Sequence, residues 1–273
     1  MRPTRVVLDV DTGIDDALAL LYAVASPLLD LRGVSTVAGN VPVEVAARNS
    51  RAVLAVAGAA DVPVATGAAT TTAGTGPRAG PTNHGTDGLG GVAVPWPDDS
   101  PVLDLSALDV DGPFTLVGLA PMTNLPTLAA SSTDVVLVGG ELVVEEPPEL
   151  NAGHDPAATA RVLASGRPTT LYVVDVFEQV SVAPADVDRL RASDRPAARL
   201  AGDLLAVRRS HLIGDAGALV LLTHPELFTV EPRLVGLAGG HLTEVPDGQR
   251  VDVVVAVDAE AVARTYVQVL LRA

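Results

Sequence analysis

The sequence has no cysteine and no lysine, and aromatic residues make up only 3% of its 273 residues. Without cysteine the chain has no disulfide framework, no thiolate nucleophile and no soft-metal site. Because 48% of the residues are nevertheless hydrophobic, the core must be built from Val, Leu and Ala. This composition favours buried strands and closely packed helices.

Positive charge is also scarce: the sequence has 18 arginines and 33 acidic residues, and its net charge is -15. Recognition of a polyanion draws its affinity from clustered cations, so we exclude nucleic acid as a partner. Several of the acids are bunched and would repel one another without a counter-ion, which makes a cation a fitting partner. The apolar run before Asp9 is too short for a signal segment or a membrane span. We therefore predict a soluble, cytoplasmic protein with no membrane partner.

The first third of the chain alternates between strand and helix patterns. An apolar run at 6–8 precedes a helical pattern after Gly13, and a second strand at 31–37 precedes a helix at 43–59. Such an opening implies a mainly parallel sheet flanked by helices, a Rossmann-like α/β fold. The sequence shows no repeat or linker, so we predict one domain over residues 1–273. Further buried strands are predicted at 62–66, 114–119, 135–138 and 171–174.

The strongest chemical signal is the segment 9–16 (DVDTGIDD), which places four carboxylates between the first strand and the first helix. A helix dipole relieves only part of their repulsion, about 0.3–1 kcal/mol for each favourable placement. A hard divalent cation would relieve the rest, and all-oxygen ligation suits Ca²⁺, with Mg²⁺ as the alternative. The opposing interpretation is that these acids are helix caps and solvated loop residues.

Other polar residues follow the predicted strands at their carboxyl ends, where open α/β sheets bind ligands. Each of them alone is more often a turn residue or a helix cap than a ligand, and their shared location is what makes them candidates. The candidates are Asn40, Thr123, Asn124, Asn151 and Asp215. The segment 70–91, rich in Gly, Thr and Pro, is predicted to be a long functional loop.

In chain order these motifs resemble the inosine-uridine preferring nucleoside hydrolases. The segments that carry the resemblance are 9–16 (DVDTGIDD), 36–40 (TVAGN), Arg48-Asn49, 84–89 (HGTDGL), 121–124 (PMTN), Gly139-Gly140, 149–151 (ELN), Asp155-Pro156 and Asp215. They cover most of the chain. The aspartate motif at 9–16 is highly specific, whereas the later motifs are persuasive only together.

The resemblance implies a nucleoside hydrolase fold and calcium-dependent cleavage of the N-glycosidic bond of a small-molecule ribonucleoside or related riboside. The implied calcium ligands are Asp11, Asp16, Asp215 and the main-chain carbonyl of Thr123. The implied substrate-binding side chains are Asp15, Asn40, His84, Glu149 and Asn151. Asp11 would also act as general base on a calcium-bound water. By the same resemblance we expect a homo-oligomer, a dimer or a tetramer.

One position departs from the family. Family members commonly carry a histidine directly before the late metal aspartate and use it to assist the departing base, but this chain has Gly214 there. His84 and His211 are candidates to assist the departing base in place of the missing histidine. Sugar recognition therefore looks intact, whereas nucleobase recognition does not.

Two other functions fit parts of the sequence. A haloacid-dehalogenase-like phosphohydrolase would use Asp9 as nucleophile with Mg²⁺, but it leaves Asp15, Asp16, Asn40 and Asn151 unexplained and expects a phosphate-binding cation. A non-catalytic relative would keep the calcium and ribose ligands and bind ribose without turnover.

Overall fold

A computed structural model describes residues 2–78, 83–95 and 102–273 of the chain. In these residues the strands are β1 Thr4–Val10, β2 Leu29–Thr36, β3 Val64–Thr66, β4 Leu103–Asp104, β5 Thr115–Gly118, β6 Asp134–Val138, β7 Thr169–Tyr172, β8 Phe228–Ala238, β9 His241–Glu244 and β10 Gln249–Val257. The α-helices are α1 Ile14–Ala25, α2 Val43–Val56, α3 Leu125–Leu128, α4 Leu150–His154, α5 Pro156–Leu163, α6 Val174–Phe177, α7 Pro184–Arg191, α8 Pro196–Val207, α9 Ala216–Thr223 and α10 Ala259–Arg272. Short 3-10 helices occur at Leu105–Ala107, Arg209–His211 and Pro225–Leu227.

The described strands form one sheet in the order β4-β3-β2-β1-β5-β6-β7-β10-β8-β9. Neighbours from β4 to β10 pair in parallel, and β8 and β9 pair antiparallel at one edge. The fold class predicted from the sequence, a mainly parallel α/β sheet flanked by helices, is therefore confirmed. Because β1 lies between β2 and β5, the loops that follow these three strands meet at one edge of the sheet.

The predicted elements occur with shifted ends. The helix predicted at 43–59 ends at Val56, and the strand predicted at 171–174 is Thr169–Tyr172, with α6 beginning at Val174. The described parts of the predicted loop 70–91 contain neither helix nor strand. Secondary-structure boundaries commonly differ by such amounts, because terminal residues lack one neighbour's hydrogen bonds.

Helix α1 is buried on almost every side, from Ile14 to Ala23. It packs against α2, α8, α9 and α10, as expected of a helix that is apolar all round. Two of the few aromatic residues hold it in place. Tyr22 stacks on Tyr266 with ring centroids 5.8 Å apart, and the Tyr266 hydroxyl donates to the Leu18 carbonyl at 3.2 Å. The amino end of α1, which carries Asp15 and Asp16, is thereby fixed relative to the sheet.

In the part of the chain that the structure describes, no helix is both long and apolar enough to cross a membrane.

Candidate active site

A cavity of about 710 Å³ opens where the carboxyl ends of the parallel strands meet. Its wall includes residues from the loops after β1, β2 and β6, together with one arginine after α8 and one aspartate before α9. The predicted site residues on this wall are Asp15, Asn40, His84, Glu149, Asn151 and Asp215. Residues far apart in sequence therefore converge on one volume.

Three carboxylates converge at this cavity, of which Asp15 and Asp215 line the wall and Asp16 is fully buried. Asp15 and Asp16 lie in the first turn of α1, and Asp215 directly precedes α9, which packs against α1. Their oxygens lie within 4.8 Å of one another. Asp16 is oriented by two backbone amides, since its Oδ2 accepts from Gly13 at 2.9 Å and its Oδ1 from Asp11 at 3.2 Å. The side chain of Asp215 makes no capping hydrogen bond to α9, so a role as a simple helix cap does not account for it.

Burial and mutual repulsion dominate the electrostatics of Asp16 and Asp215. Burial and then repulsion from neighbouring carboxylates raise the pKa of Asp16 and of Asp215 well above the usual value. Burial also raises the pKa of Asp11. For Asp15 burial acts in the same direction, but the charge of the Arg208 guanidinium outweighs it, and the pKa of Asp15 is lowered.

The donor set fits a hard divalent cation. All the converging groups are carboxylates, which Ca²⁺ and Mg²⁺ prefer. The Oδ1 atom of Asp15 is buried and has no hydrogen-bond partner among the described residues. A cation bound here would favour the charged form of each acid and oppose the repulsion.

Asp11 follows β1 and is almost fully buried, at 1% exposure. Its Oδ2 accepts from the Asn40 backbone amide at 2.6 Å, and its Oδ1 accepts from the Asn40 side-chain amide at 3.0 Å. Arg78 lies 3.6 Å from Oδ2 and also donates to the Asn40 side-chain oxygen. Asp11 is therefore fixed in orientation beside the acid cluster, as a general base requires.

The backbone of Gly39 makes this arrangement possible. A β-carbon built there would lie 1.9 Å from Asp11 Oδ2, far inside van der Waals contact. We expect Gly39→Ala to displace the Asp11 carboxylate and lower turnover at least tenfold, while the melting temperature changes little. Steady-state kinetics together with thermal melts check this. Gly58→Ala, where a β-carbon meets nothing within 4 Å, controls for changing a glycine as such, although its positive φ adds local strain. Full activity of Gly39→Ala would contradict the prediction.

Asp9 has a different role from the other acids of its motif. It is fully buried, and its Oδ1 accepts from the Ser35 hydroxyl at 2.5 Å and the Asn124 amide at 2.9 Å. Burial raises its pKa to about 7. Asn124 also donates to the Thr36 carbonyl, so Asp9 and Asn124 join β1, β2 and the start of α3. Complete burial and the hydrogen bonds from Ser35 and Asn124 give Asp9 a structural role, which argues against its use as the nucleophile of a phosphohydrolase.

Glu149 and Asn151 lie on the opposite wall, and backbone groups fix both. Glu149 caps α4 by accepting from the amides of Asn151 and Ala152, and it also accepts from Gly140 at 2.9 Å. Burial raises the pKa of its carboxyl. The Asn151 amide nitrogen donates to the carbonyls of Leu119 and Val138 at 3.0 and 3.1 Å. These bonds direct the Asn151 oxygen away from the strands.

His84 is held beside the amino end of α1. Its Nδ1 accepts from the Ile14 amide at 3.0 Å, so the proton of the neutral ring is on Nε2. Asn49 docks the loop that carries His84, because its amide donates to the carbonyls of Thr12 and Asp87 at 3.1 and 2.8 Å. The Arg48-Asn49 and HGTDGL motifs are thus parts of one contact.

Thr123 lies between β5 and α3 at the same edge of the sheet. Its hydroxyl donates to Asp155 Oδ2 at 2.9 Å, an atom that also accepts from the Thr72 amide at 2.7 Å. These bonds fix the Thr123 loop. The use of its carbonyl as a metal ligand stays a prediction.

Two arginines of the cavity wall, Arg78 and Arg208, are absent from the set predicted from the sequence. The Arg208 guanidinium donates to Asp15 Oδ2 at 2.9 Å. The sequence offered only a weak signal for them: Arg78 lies in the predicted loop 70–91, and both are among the few cations of the chain.

Position 214 has no side chain, and its φ of +41° lies in the left-handed region. A β-carbon there would lie 3.2 Å from Asp15 Oδ2. Of the two histidines considered as substitutes, His84 lines the cavity, whereas His211 is not among the described residues of its wall.

Known proteins resemble this chain over most of its length. A sequence model of the inosine-uridine preferring nucleoside hydrolases matches residues 6–264. A pyrimidine-specific ribonucleoside hydrolase, RihA, of Shewanella oneidensis is 34% identical over 85% of this chain and 81% of that protein. Uridine nucleosidase 1 of Arabidopsis thaliana is 29% identical over 87% of this chain and 80% of that protein.

Solved structures share the whole fold. A plant nucleoside hydrolase superposes with a TM-score of 0.87 at 25% identity, covering 99% of this chain and 100% of that one. A purine-preferring ribonucleoside hydrolase of Gardnerella vaginalis gives a TM-score of 0.87 at 23% identity, covering 98% of both chains. The chain belongs to the inosine-uridine preferring nucleoside hydrolase family, whose members hydrolyse the N-glycosidic bond of ribonucleosides.

Proposed function

We propose that the protein hydrolyses pyrimidine ribonucleosides such as uridine to ribose and base, and that it depends on calcium. The observation that supports this most directly is the convergence of Asp15, Asp16 and Asp215 within 4.8 Å, beside the fixed carboxylate of Asp11. The pyrimidine substrate is proposed because the two relatives matched by sequence, at 29% and 34% identity, are named for uridine and for pyrimidine ribonucleosides, whereas the purine-preferring structure is only 23% identical.

We assign the cation to Asp11, Asp16, Asp215 and the Thr123 carbonyl. When bound, calcium would lower the pKa of a water molecule and orient the sugar. Asp15 is left to a ribose hydroxyl although it lies in the same cluster. It already pairs with Arg208, so it needs a cation less than Asp16 and Asp215 do, and it lines the cavity.

In the proposed reaction Asp11 takes a proton from the attacking water as the water approaches the anomeric carbon. Asn40 fixes Asp11 with two hydrogen bonds, so that the accepting oxygen is positioned before substrate arrives. Asn40, Glu149, Asn151 and Asp15 hold the ribose. The surrounding carboxylates favour the positive charge that develops on the sugar in an oxocarbenium-like transition state.

A panel of ribosides tests the proposal. Reducing sugar is measured for uridine, inosine and p-nitrophenyl riboside, with calcium and after chelation. We expect uridine and the nitrophenyl riboside to be cleaved, the activity to disappear with chelator and calcium to restore it. Inosine should be cleaved poorly if no group replaces the proton donor missing at Gly214, since such assistance is worth roughly 10²–10⁴-fold.

The other outcomes separate the alternatives. Ribose binding without hydrolysis of any riboside would support a non-catalytic ribose-binding protein. Efficient hydrolysis of inosine would show that another group protonates the base, and His84→Ala would then test that histidine. A cytoplasmic location and a homo-oligomeric state remain part of the proposal, and gel filtration with light scattering tests the latter.

A further inference from the structure

Arg208 lines the cavity and has hydrogen-bond donors that no described residue accepts from. It follows α8, and its Nη2 atom donates to Asp15 Oδ2 at 2.9 Å. Its Nε and Nη1 atoms are buried and have no hydrogen-bond partner among the described residues. A buried donor without a partner is unfavourable, so these two atoms are suited to an acceptor that a ligand brings.

The guanidinium lies beside position 214. A β-carbon built on Gly214 would lie 3.8 Å from Arg208 Nη2, so Arg208 approaches the volume next to a residue that has no side chain. The guanidinium contacts Asp15, a residue of the proposed ribose site, at 2.9 Å.

The surroundings make this cation distinctive. Elsewhere the described cavity wall is acidic, with Glu141, Glu145, Glu146, Asp175 and Glu178. The other arginine of the wall, Arg78, contacts Asn40 and Asp11, which are assigned to the sugar and the water. Arg78 also has an Nε and an Nη1 without a partner among the described residues, but its Nη2 lies against Asn40 and Asp11, whereas Arg208 pairs with Asp15 and lies beside Gly214. Arg208 is therefore the candidate for the part of the substrate next to the sugar.

We propose that Arg208 stabilises the departing base by donating hydrogen bonds to the carbonyl oxygen next to its glycosidic nitrogen. This inference rests on the proposed function. When the C–N bond breaks, its electron pair passes to the base nitrogen and is delocalised onto that oxygen. The attacking water loses its proton to Asp11, and the base anion later takes a proton from solvent. A guanidinium stays protonated in proteins, so Arg208 acts as an electrostatic stabiliser and not as an acid.

The substrate class follows from this chemistry. A guanidinium that cannot release a proton favours bases that leave as anions with charge on oxygen. Pyrimidines with a carbonyl beside the glycosidic nitrogen meet that requirement, and purines lack a carbonyl at that position.

Arg208→Met tests the role, with Arg208→Lys as the conservative variant. Arg199→Met is the matched control, because Arg199 lies on α8, is exposed and donates to the Ser193 carbonyl. For calcium-loaded enzyme we expect kcat/KM for uridine to fall about 10²–10³-fold in Arg208→Met, as on removal of an oxyanion donor. p-Nitrophenyl riboside, whose leaving group is already a stable anion, should lose less than tenfold. Arg208→Lys should recover part of the loss, and Arg199→Met should behave as the parent.

Equal losses for both substrates would overturn the inference, since they would show that Arg208 acts only through Asp15. Calorimetric titration of uracil into calcium-loaded protein with ribose gives a readout that does not require turnover. We expect binding at least tenfold weaker in Arg208→Met than in the parent, and equal binding in the two would overturn the inference. If the parent hydrolyses no riboside, the proposed function fails, and the uracil titration still decides the role of Arg208.

Discussion

Asp11→Asn is expected to lower kcat for uridine by about 10²–10⁴-fold, the usual contribution of a general base. The amide cannot take a proton from water. The new amide NH₂ group also faces one of the two Asn40 N–H groups that donate to Asp11. Two donors cannot bond to each other, so one of the two Asn40–Asp11 hydrogen bonds is lost. Because Asp11 is also assigned to the cation, kcat is measured at saturating calcium, and thermal melts verify the fold.

Asp203→Asn serves as the control for Asp11→Asn. Asp203 is an exposed acid that pairs with Arg191 at 3.0 Å, away from the cavity. Its replacement should leave kcat unchanged. If Asp11→Asn retained kcat within tenfold of the parent, Asp11 would not be the base.

Chelation of calcium is the second large effect: it should abolish hydrolysis and lower the melting temperature, and the loss of stability should be greater at pH 8 than at pH 5. The pKa values of Asp16 and Asp215 are raised in the folded protein without a cation. A carboxyl whose pKa is raised by folding stabilises the folded protein at pH values below its pKa in the unfolded chain. This contribution is lost as the pH rises past the pKa that the carboxyl has in the folded protein. The chelated protein should therefore weaken as pH rises, whereas a bound cation favours the charged carboxylates and removes that weakening.

Thermal melts with calcium and with chelator across this pH range measure the effect. In Asp215→Asn the increase in melting temperature on adding calcium should largely disappear, because one ligand and one repelling charge are removed together. An equal calcium effect at pH 5 and pH 8 in the parent would contradict the titration argument, and no calcium effect at either pH would contradict the metal site.

The sequence predicted β1, α1 and the acidic motif between them because their signals are local. An apolar strand followed by a turn and a helix defines where Asp15 and Asp16 lie without knowledge of the rest of the fold. The alternation of strands and helices predicted a parallel sheet, and the carboxyl ends of parallel strands lie at one edge, which is why Asn40 and Asn151 were expected there.

The antiparallel edge of the sheet was not predicted. In β10, the buried residues Val251 and Val253 alternate with exposed Asp252, a pattern that identifies a strand. Its pattern does not specify which neighbours it pairs with or in which direction. The neighbours and direction of β10 depend on where β7 lies in the assembled sheet, because β10 pairs with the free edge of β7.

The arginines of the site were missed for a similar reason. Arg208 meets a partner 193 positions away in the sequence, and the contact exists because α8 packs against α1. From its spacing, Asp9 was counted with the other aspartates of the motif 9–16. In the structure it is hydrogen-bonded to Ser35 and Asn124 and lies apart from the acid cluster. Spacing identified the acidic motif, but tertiary contacts divide its members into structural and site residues.

The left-handed backbone at Gly214 also bears on how this enzyme can evolve. A histidine introduced by mutation would meet two obstacles together, an unfavourable φ of +41° and a β-carbon 3.2 Å from Asp15 Oδ2. Selection for a protonating side chain at this position would therefore have to act on a variant that is initially strained and in which Asp15, the proposed ribose ligand, is displaced. Improvement of leaving-group chemistry in this lineage is more accessible through substitutions around Arg208 than through position 214.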